Sequence, residues 1–163
     1  MNIQIREFQN NDILQMIEIW NEIVEEGIAF PQEDTLDKNT GIDFFLSQTF
    51  TGVAYNSDNN QIVGVYILHP NNVGRCGHIC NASYAVRKDL RGKHIGEKLI
   101  RHCMDMGKKF GFKILQFNAV VENNLGALYL YQKLGFTKLG IIPKGFLTKD
   151  GIYENIIPHY IEL

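Results

Sequence analysis

The fold of this chain is decided by one stretch, Val86-Arg87-Lys88-Asp89-Leu90-Arg91-Gly92-Lys93-His94-Ile95-Gly96-Glu97-Lys98-Leu99-Ile100. Residues 77–86 read as a strand that leads into this turn, and the apolar spacing after it is typical of an amphipathic helix. Backbone N–H groups at a helix N-terminus, with arginine and lysine nearby, form a binding site for phosphate. Glycine lets the backbone approach a ligand closely. The stretch therefore predicts a turn that holds the pyrophosphate of a cofactor.

The residue spacing in this turn separates it from two common phosphate-binding loops. It has neither the G-x-x-x-x-G-K-[ST] spacing nor the G-x-G-x-x-G spacing. In Arg91, Gly96 and its basic residues, it resembles the acetyl-CoA loop of the Gcn5-related N-acetyltransferases (GNAT), written [RQ]-x-x-G-x-[GA]. His94 departs from that pattern, because it stands where the family usually has its middle glycine. An ordinary charged turn that binds nothing is the alternative interpretation of the loop alone.

A second motif extends the resemblance over nearly the whole chain. It is Asn124-Leu125-Gly126-Ala127-Leu128-Tyr129-Leu130-Tyr131-Gln132-Lys133-Leu134-Gly135-Phe136, which resembles the family signature N-x-x-A-x-x-[LF]-Y-x-K-x-G-F. The resemblance implies that acetyl-CoA is the cosubstrate. It assigns cofactor binding to Tyr84, Ala85, Val86, Arg91, Gly92, Lys93, His94, Ile95, Gly96, Asn124, Ala127 and Tyr131.

Length and composition are those of a single globular domain spanning residues 1–163. The net charge of -2 argues against a nucleic-acid partner, which would need a basic face. No apolar run is long enough to cross a membrane, and the first residues lack the pattern of a signal peptide. The three cysteines, an odd number, favour reduced thiols in a cytoplasmic protein.

Apolar periodicity predicts the element order β-α-α-β-β-β-α-β-α-β-β, which is a mixed α/β sheet with helices on both faces. The late strands are expected at residues 113–121, 137–142 and 153–161. Residues 27–34 and 143–150 are expected to form loops that shape the acceptor pocket.

The resemblance implies a single-domain GNAT fold, in which a mixed, mostly antiparallel sheet carries a splay between its two central parallel strands. Those strands are residues 77–86 and 113–121, and the pantetheine arm of the cofactor lies between them. Backbone groups near Tyr84, Ala85 and Val86 would then lack sheet partners, and a ligand would complete the ladder. An ordinary closed sheet is the alternative.

Tyr131 is the candidate general acid, because a thiolate leaving the acetyl group benefits from a proton that a nearby hydroxyl supplies. A tyrosine that only packs against the core is the alternative. The attacking ammonium must also lose a proton, and the strand before the loop has no glutamate for this task. His78 and Glu122 are the candidate bases, with Glu33 and Asp34 as further choices acting through water.

Asn81 and Asn118 each interrupt an apolar strand, where an amide is out of place. They lie on the two strands that are expected to splay, so convergent amides could orient a small polar substrate. We therefore predict that both bind the acceptor. Satisfied core amides are the alternative.

Cys76, His78 and Cys80 alternate and would share one face of a strand. Three local ligands without a second cluster do not form a recognised zinc pattern, so we expect no metal. A disulfide between the two cysteines would span roughly 13 Å at strand rise, which is too long. Buried thiols are expected instead.

The sequence thus predicts an acetyl-CoA-dependent N-acetyltransferase whose acceptor is a small primary or secondary amine, such as an amino acid or its analogue. Two alternatives remain open: a module that binds CoA without turnover, and an enzyme that acetylates a protein N-terminus or lysine. A homodimer is compatible with the resemblance, although the sequence has no distinct signature for one.

Overall fold

The structure, a computed structural model, describes residues 1–163. Its strands are β1 (Ile3–Glu7), β2 (Phe50–Asn56), β3 (Gln61–Pro70), β4 (Ile79–Val86), β5 (Ile114–Phe117), β6 (Thr137–Lys138), β7 (Ile142–Leu147), β8 (Tyr153–Ile156) and β9 (His159–Glu162). Its α-helices are α1 (Ile13–Glu26), α2 (Lys38–Leu46), α3 (Ile95–Lys109) and α4 (Leu125–Lys133). None of these helices combines the length and apolar character needed to span a membrane.

Seven strands form the main sheet in the order β1-β2-β3-β4-β5-β9-β6, while β7 and β8 form a separate two-stranded hairpin. Only β4 and β5 run parallel, and every other pair is antiparallel. The predicted mixed, mostly antiparallel α/β sheet is therefore confirmed.

Helices cover both faces of the sheet, as the alternation of side chains along β3 requires. Val65 and Ile67 point to the cluster that includes α1 and α2, whereas Tyr66 and Leu68 point to the cluster that includes α3. Successive strand residues face opposite sides, so a strand covered on both faces is apolar throughout. This explains the nearly continuous apolar run of β3.

The two central strands pair only at their beginning. β4 and β5 are in register at Ile79 with Ile114 and at Cys80 with Leu115, and no further pair follows. The predicted splay is confirmed, because β4 continues to its end without a neighbour on the β5 side.

The register between β3 and β4 decides which backbone groups of β4 face the gap between β4 and β5. The N–H of Arg87 donates to the carbonyl of Val63 at 3.0 Å, and the antiparallel pairing continues two residues earlier at Ala85 with Val65. The prediction that Ala85 lacks a sheet partner is therefore wrong, since its backbone groups point to β3. The residues whose N–H and C=O groups face the gap are Ala82, Tyr84 and Val86.

The predicted strand at residues 113–121 is wrong in length, because β5 ends at Phe117. After that residue, the carbonyl of Val120 accepts from the N–H of Ile157, and Val121 forms an isolated bridge to Ile156. The chain leaves the central sheet for the region of β8, which widens the gap beside β4.

The predicted loop at residues 143–150 is also wrong, because β7 occupies most of it and pairs with β8. The sequence does not indicate this strand, because Pro143 and Gly145 are residue types that are depleted in strands. Its register shifts between Ile142 and Phe146, and Lys144 within the shift has a φ of 56°.

The predicted strand at residues 153–161 is two strands, β8 and β9, which separate at Pro158 because proline has no N–H to donate. The strand predicted at residues 137–142 is likewise shorter, since β6 contains only two residues.

The tip of the β7–β8 hairpin is fastened to the end of α1. The N–H of Lys149 donates to the carbonyl of Gly27 at 3.1 Å, and its Nζ donates to the carbonyl of Glu25 at 3.0 Å. Gly27 ends α1 with a φ of 64°, and a Cβ at this position would overlap the Cβ of Lys149. Glycine is therefore required both by the helix end and by the close approach of the hairpin.

Candidate active site

Two cavities meet beside the open edge of β4. The large cavity, of about 910 Å³, lies between the turn before α3, helix α4 and the β7–β8 hairpin. The small cavity, of about 310 Å³, lies between β4, residues 117–121 and the segment after α1. The residues that line both are Ala29, Phe30, Tyr84, Val121, Asn124, Ala127 and Tyr131.

The turn before α3 presents a row of unpaired backbone donors to the large cavity. The N–H groups of residues 92–97 donate to no acceptor within the protein, because the first helical bond runs from Lys98 to the carbonyl of His94. Left-handed conformations at Gly92 and His94, with φ values of 78° and 61°, shape this turn. Unpaired N–H groups at the positive end of a helix dipole form a site for an anion.

The arginines near this turn are already engaged by carboxylates. Arg91 donates one hydrogen bond of 3.0 Å to Glu26 and forms an ion pair with it at 3.0 Å through its other terminal nitrogen, and Arg87 forms a short ion pair with Asp89. Lys93 forms no ion pair and does not line the large cavity. The backbone therefore supplies most of the free anion-binding capacity of the turn.

Most of the predicted cofactor residues line the large cavity, and Ala85 and Lys93 do not. Those that line it are Tyr84, Val86, Arg91, Gly92, His94, Ile95, Gly96, Asn124, Ala127 and Tyr131.

The second motif holds α4 in place. The side chain of Asn124 accepts from the N–H of Ala127 at 3.2 Å and so caps α4. Lys133 donates to Glu97 at 2.6 Å, which ties the end of α4 to the start of α3. Hydrogen bonds from Lys133 and then from Arg101 lower the pKa of the Glu97 carboxyl, so Glu97 stays ionised in this contact.

Tyr131 stands where the two cavities meet, packed in an aromatic cluster. Its ring centroid lies 4.6 Å from that of Phe117, 5.4 Å from that of Phe136 and 5.5 Å from that of His159. The hydroxyl forms no hydrogen bond within the protein. Burial raises the pKa of Tyr131 above its ordinary value, so the hydroxyl keeps its proton at neutral pH and is able to donate it.

Asn81 and Asn118 both line the small cavity, but their amides differ. Asn118 exchanges hydrogen bonds with Asn71 at 2.6 and 3.3 Å and accepts from Gln116 at 3.0 Å. The Asn81 side chain has no partner in the protein. Asn118 thus has a structural role in addition to its place at the cavity, whereas Asn81 is free to bind a ligand.

The structure does not bring the predicted bases to the site. His78 is exposed, and its carbonyl accepts from the N–H groups of Lys113 and Ile114 just before the paired part of β4 and β5, at the end away from the splay. Glu122 accepts from the amide of Asn155 at 2.9 Å. Neither residue lines the large or the small cavity, and neither do Glu33 and Asp34.

The cysteine prediction is partly wrong as well. Cys76 lies in a 3-10 turn and is exposed, so it does not share a strand face with Cys80, which is buried together with Cys103. No group of three or more histidine, cysteine and acidic side chains is placed to hold a metal ion.

Sequence reasoning missed two histidines, one that lines the small cavity and one that packs against Tyr131. His69 lines the small cavity opposite Asn81 in the β3–β4 register, and its Nδ1 donates to the carbonyl of Pro70 at 3.0 Å. His159 is buried against Tyr131, and burial lowers its pKa, so the ring is neutral. The signal for both lies in strand pairing, which the sequence does not reveal.

A family model for the acetyltransferase (GNAT) family matches residues 13–136. The chain belongs to this family. N-acetyltransferase aca1 from Schizosaccharomyces pombe is 30% identical to this GNAT chain over 153 residues, covering 85% of the chain and 72% of aca1. L-amino acid N-acyltransferase MnaT from Escherichia coli is 26% identical over 145 residues, covering 87% of the chain and 84% of MnaT.

Solved GNAT structures share the whole fold. The structure of yncA from Salmonella typhimurium with its cofactor acetyl-CoA has a TM-score of 0.91 at 20% identity, and the match covers 100% of this chain and 95% of yncA. This GNAT chain is an N-acetyltransferase that uses acetyl-CoA as its cosubstrate, which confirms the family prediction. Its relatives do not support the alternative of a module without turnover.

A substitution at His94 tests whether the backbone of the turn binds the cosubstrate. We expect His94→Gly to change the dissociation constant of acetyl-CoA by less than about tenfold, or about 1.4 kcal/mol, because glycine adopts the same left-handed conformation. Gly92→Val is the matched change, since a Cβ there meets no atom within 4 Å but the backbone becomes strained. We expect it to weaken binding more than His94→Gly does. If calorimetry shows that His94→Gly weakens binding more than Gly92→Val does, the imidazole of His94 contacts the ligand.

The roles of Asn81 and Asn118 are distinguished by measuring both the stability and the acceptor kinetics of an alanine variant of each. We expect Asn81→Ala to raise the acceptor KM at an unchanged melting temperature, because no protein group loses a partner. Asn118→Ala should also lower the free energy of unfolding by about 0.5–1.5 kcal/mol, since Asn71 and Gln116 lose hydrogen bonds. Thermal denaturation and acceptor titrations measure both effects. An unstable Asn81→Ala with normal kinetics would contradict the binding role.

Proposed function

We propose that this N-acetyltransferase acetylates the amine of a small molecule of the amino-acid type. The observation that carries the proposal is the meeting of two cavities at Tyr131, one bordered by an anion-binding turn and the other by uncharged amides. Group transfer requires both substrates to be held with their reacting atoms in contact.

The large cavity and the open edge of β4 fit the two chemically distinct parts of acetyl-CoA. The unpaired N–H groups of residues 92–97 suit the pyrophosphate. The free N–H and C=O groups of Ala82, Tyr84 and Val86 suit the amides of the pantetheine arm, which would form the missing strand contacts. Acetyl-CoA supplies the acetyl thioester at the end of this arm.

The small cavity matches an acceptor with a carboxylate better than one with a second ammonium. Its lining contains no aspartate or glutamate, so an additional positive charge would have no counter-ion. The free amide of Asn81 and the hydroxyl of Ser83 offer hydrogen-bond donors to a carboxylate. The relative MnaT is an L-amino acid N-acyltransferase, which supports the same class of acceptor.

Each proton in the reaction then has a donor and an acceptor. The acceptor ammonium loses one proton to Nε2 of His69, which is the ring nitrogen available to accept it when Nδ1 donates to the carbonyl of Pro70. The freed amine forms a bond to the acetyl carbon while the carbon–sulfur bond breaks, and Tyr131 protonates the thiolate. The new amide nitrogen loses its surplus proton, which restores Tyr131. N–H groups on the open edge of β4 stabilise charge on the carbonyl oxygen.

An acceptor panel tests this function. Release of the CoA thiol would be measured with amino acids, the matching amino-acid amides, a polyamine and a peptide with a free N-terminus and a lysine. We expect the highest kcat/KM with the amino acids, because the amides lose the carboxylate and the polyamine adds an unpaired charge. Reactions without amine control for hydrolysis. Turnover with the peptide alone would replace this proposal with a protein acetyltransferase.

The substitution Tyr131→Phe tests whether Tyr131 is the general acid that protonates the thiolate. The ring remains in the aromatic cluster, so we expect the dissociation constant of acetyl-CoA to stay within about twofold while kcat falls roughly 10²-fold or more. Single-turnover measurements avoid masking by slow product release. An unchanged rate of the chemical step would remove the acid role from Tyr131.

A further inference from the structure

The large cavity has a lining whose charge opposes its proposed ligand. Four carboxylates line it, and its only lysine and arginine side chains are Lys133 and Arg91. Glu97 pairs with Lys133 at 2.6 Å, and Glu26 pairs with Arg91 at 3.0 Å. No lysine or arginine of this lining is therefore free to meet a phosphate, although acetyl-CoA carries phosphate groups with several negative charges.

Glu26 lies where a carboxylate is electrostatically unfavourable. It is the last residue of α1, and the negative end of a helix dipole repels an anion. Its side chain lines the large cavity and is 19% exposed, so a ligand in the cavity is within reach of its charge. The cations that compensate for this placement are Arg91 and, with its Nζ 3.8 Å from the carboxylate, Lys88.

The contact between Glu26 and Arg91 occupies one whole edge of the guanidinium. One terminal nitrogen of Arg91 donates to Oε2 of Glu26 at 3.0 Å, and the other terminal nitrogen lies 3.0 Å from Oε1. An arginine binds a phosphate in the same paired arrangement. A phosphate that reaches this arginine therefore competes with the carboxylate for the same two nitrogen atoms.

The turn before α3 does not depend on Glu26 alone for its position. The carboxylate of Glu22, one helical turn earlier in α1, accepts from the backbone N–H of Lys88 at 3.2 Å. On the other side, the carbonyl of Val63 accepts from the N–H of Arg87 at 3.0 Å. Glu26 thus places a negative charge at the cavity beside a turn that is already attached to α1 and β3.

We propose that Glu26 is an internal competitor for Arg91, which weakens the binding of acetyl-CoA and of the product CoA at their phosphate groups. In the free enzyme the carboxylate holds the guanidinium, so a phosphate gains this cation only by displacing Glu26. Recognition then falls to the backbone N–H groups of the turn. This inference rests on the proposed placement of acetyl-CoA in the large cavity.

The substitution Glu26→Gln tests the proposal, because glutamine keeps the length and an acceptor oxygen while it removes the charge. We expect the dissociation constants of acetyl-CoA and CoA to fall by the same factor, at least about threefold, and to rise more steeply with salt than in wild type. Glu25→Gln, the same change at the exposed neighbouring residue outside both cavities, is the control and should stay within about 1.5-fold of wild type. Calorimetry measures the binding, and melting temperatures show that each variant is folded.

A second substitution tests whether the effect passes through Arg91. We expect Arg91→Gln to weaken acetyl-CoA binding at least about threefold more in the Glu26→Gln protein than in wild type, since only there is the guanidinium free. An equal loss in both proteins would show that Glu26 acts only as a distant charge and would overturn the proposal. A Glu26→Gln variant that matches Glu25→Gln, or that binds both ligands more weakly than wild type, would also overturn it. If Gly92→Val leaves acetyl-CoA binding unchanged as well, the placement of the cosubstrate in this cavity is wrong instead.

Discussion

Beyond Cys80, the backbone of β4 has no strand on its β5 side, and the rest of the site is arranged around that open edge. An unpaired edge inside a sheet is tolerated only where a ligand or water satisfies its hydrogen bonds. The same strand leads directly into the turn whose N–H groups face the large cavity. One element thus positions both the part of the site that suits an extended chain and the part that suits phosphate.

The turn before α3 carries less unpaired positive charge than its basic sequence suggests. Glu26 engages Arg91, and Asp89 engages Arg87, so two of the cations are balanced inside the protein. The remaining attraction for an anion comes from backbone dipoles whose directions are fixed by the left-handed residues Gly92 and His94. Directed dipoles favour an anion of a particular shape, whereas loose surface cations attract any anion.

The sequence predicted the parts of the molecule that depend on local chemistry. The turn before α3, helix α4 and the place of Tyr131 on that helix follow from motifs whose residues lie close together in the sequence. The features that the sequence did not predict depend on contacts between segments that are distant in the chain. His69 enters the site through the register of β3 with β4, and β7 forms a strand despite Pro143 because β8 pairs with it.

The attachment of the β7–β8 hairpin to Gly27 gives the two cavities a shared wall. The hairpin borders the large cavity, while the segment it holds carries Phe30, which lines both cavities. Any ligand that steadies this shared wall changes the affinity of the neighbouring cavity, and thermodynamic linkage requires the effect to be equal in both directions. Ligands bound in the two cavities would therefore influence each other's affinity through this wall, with no preference for the order in which they bind.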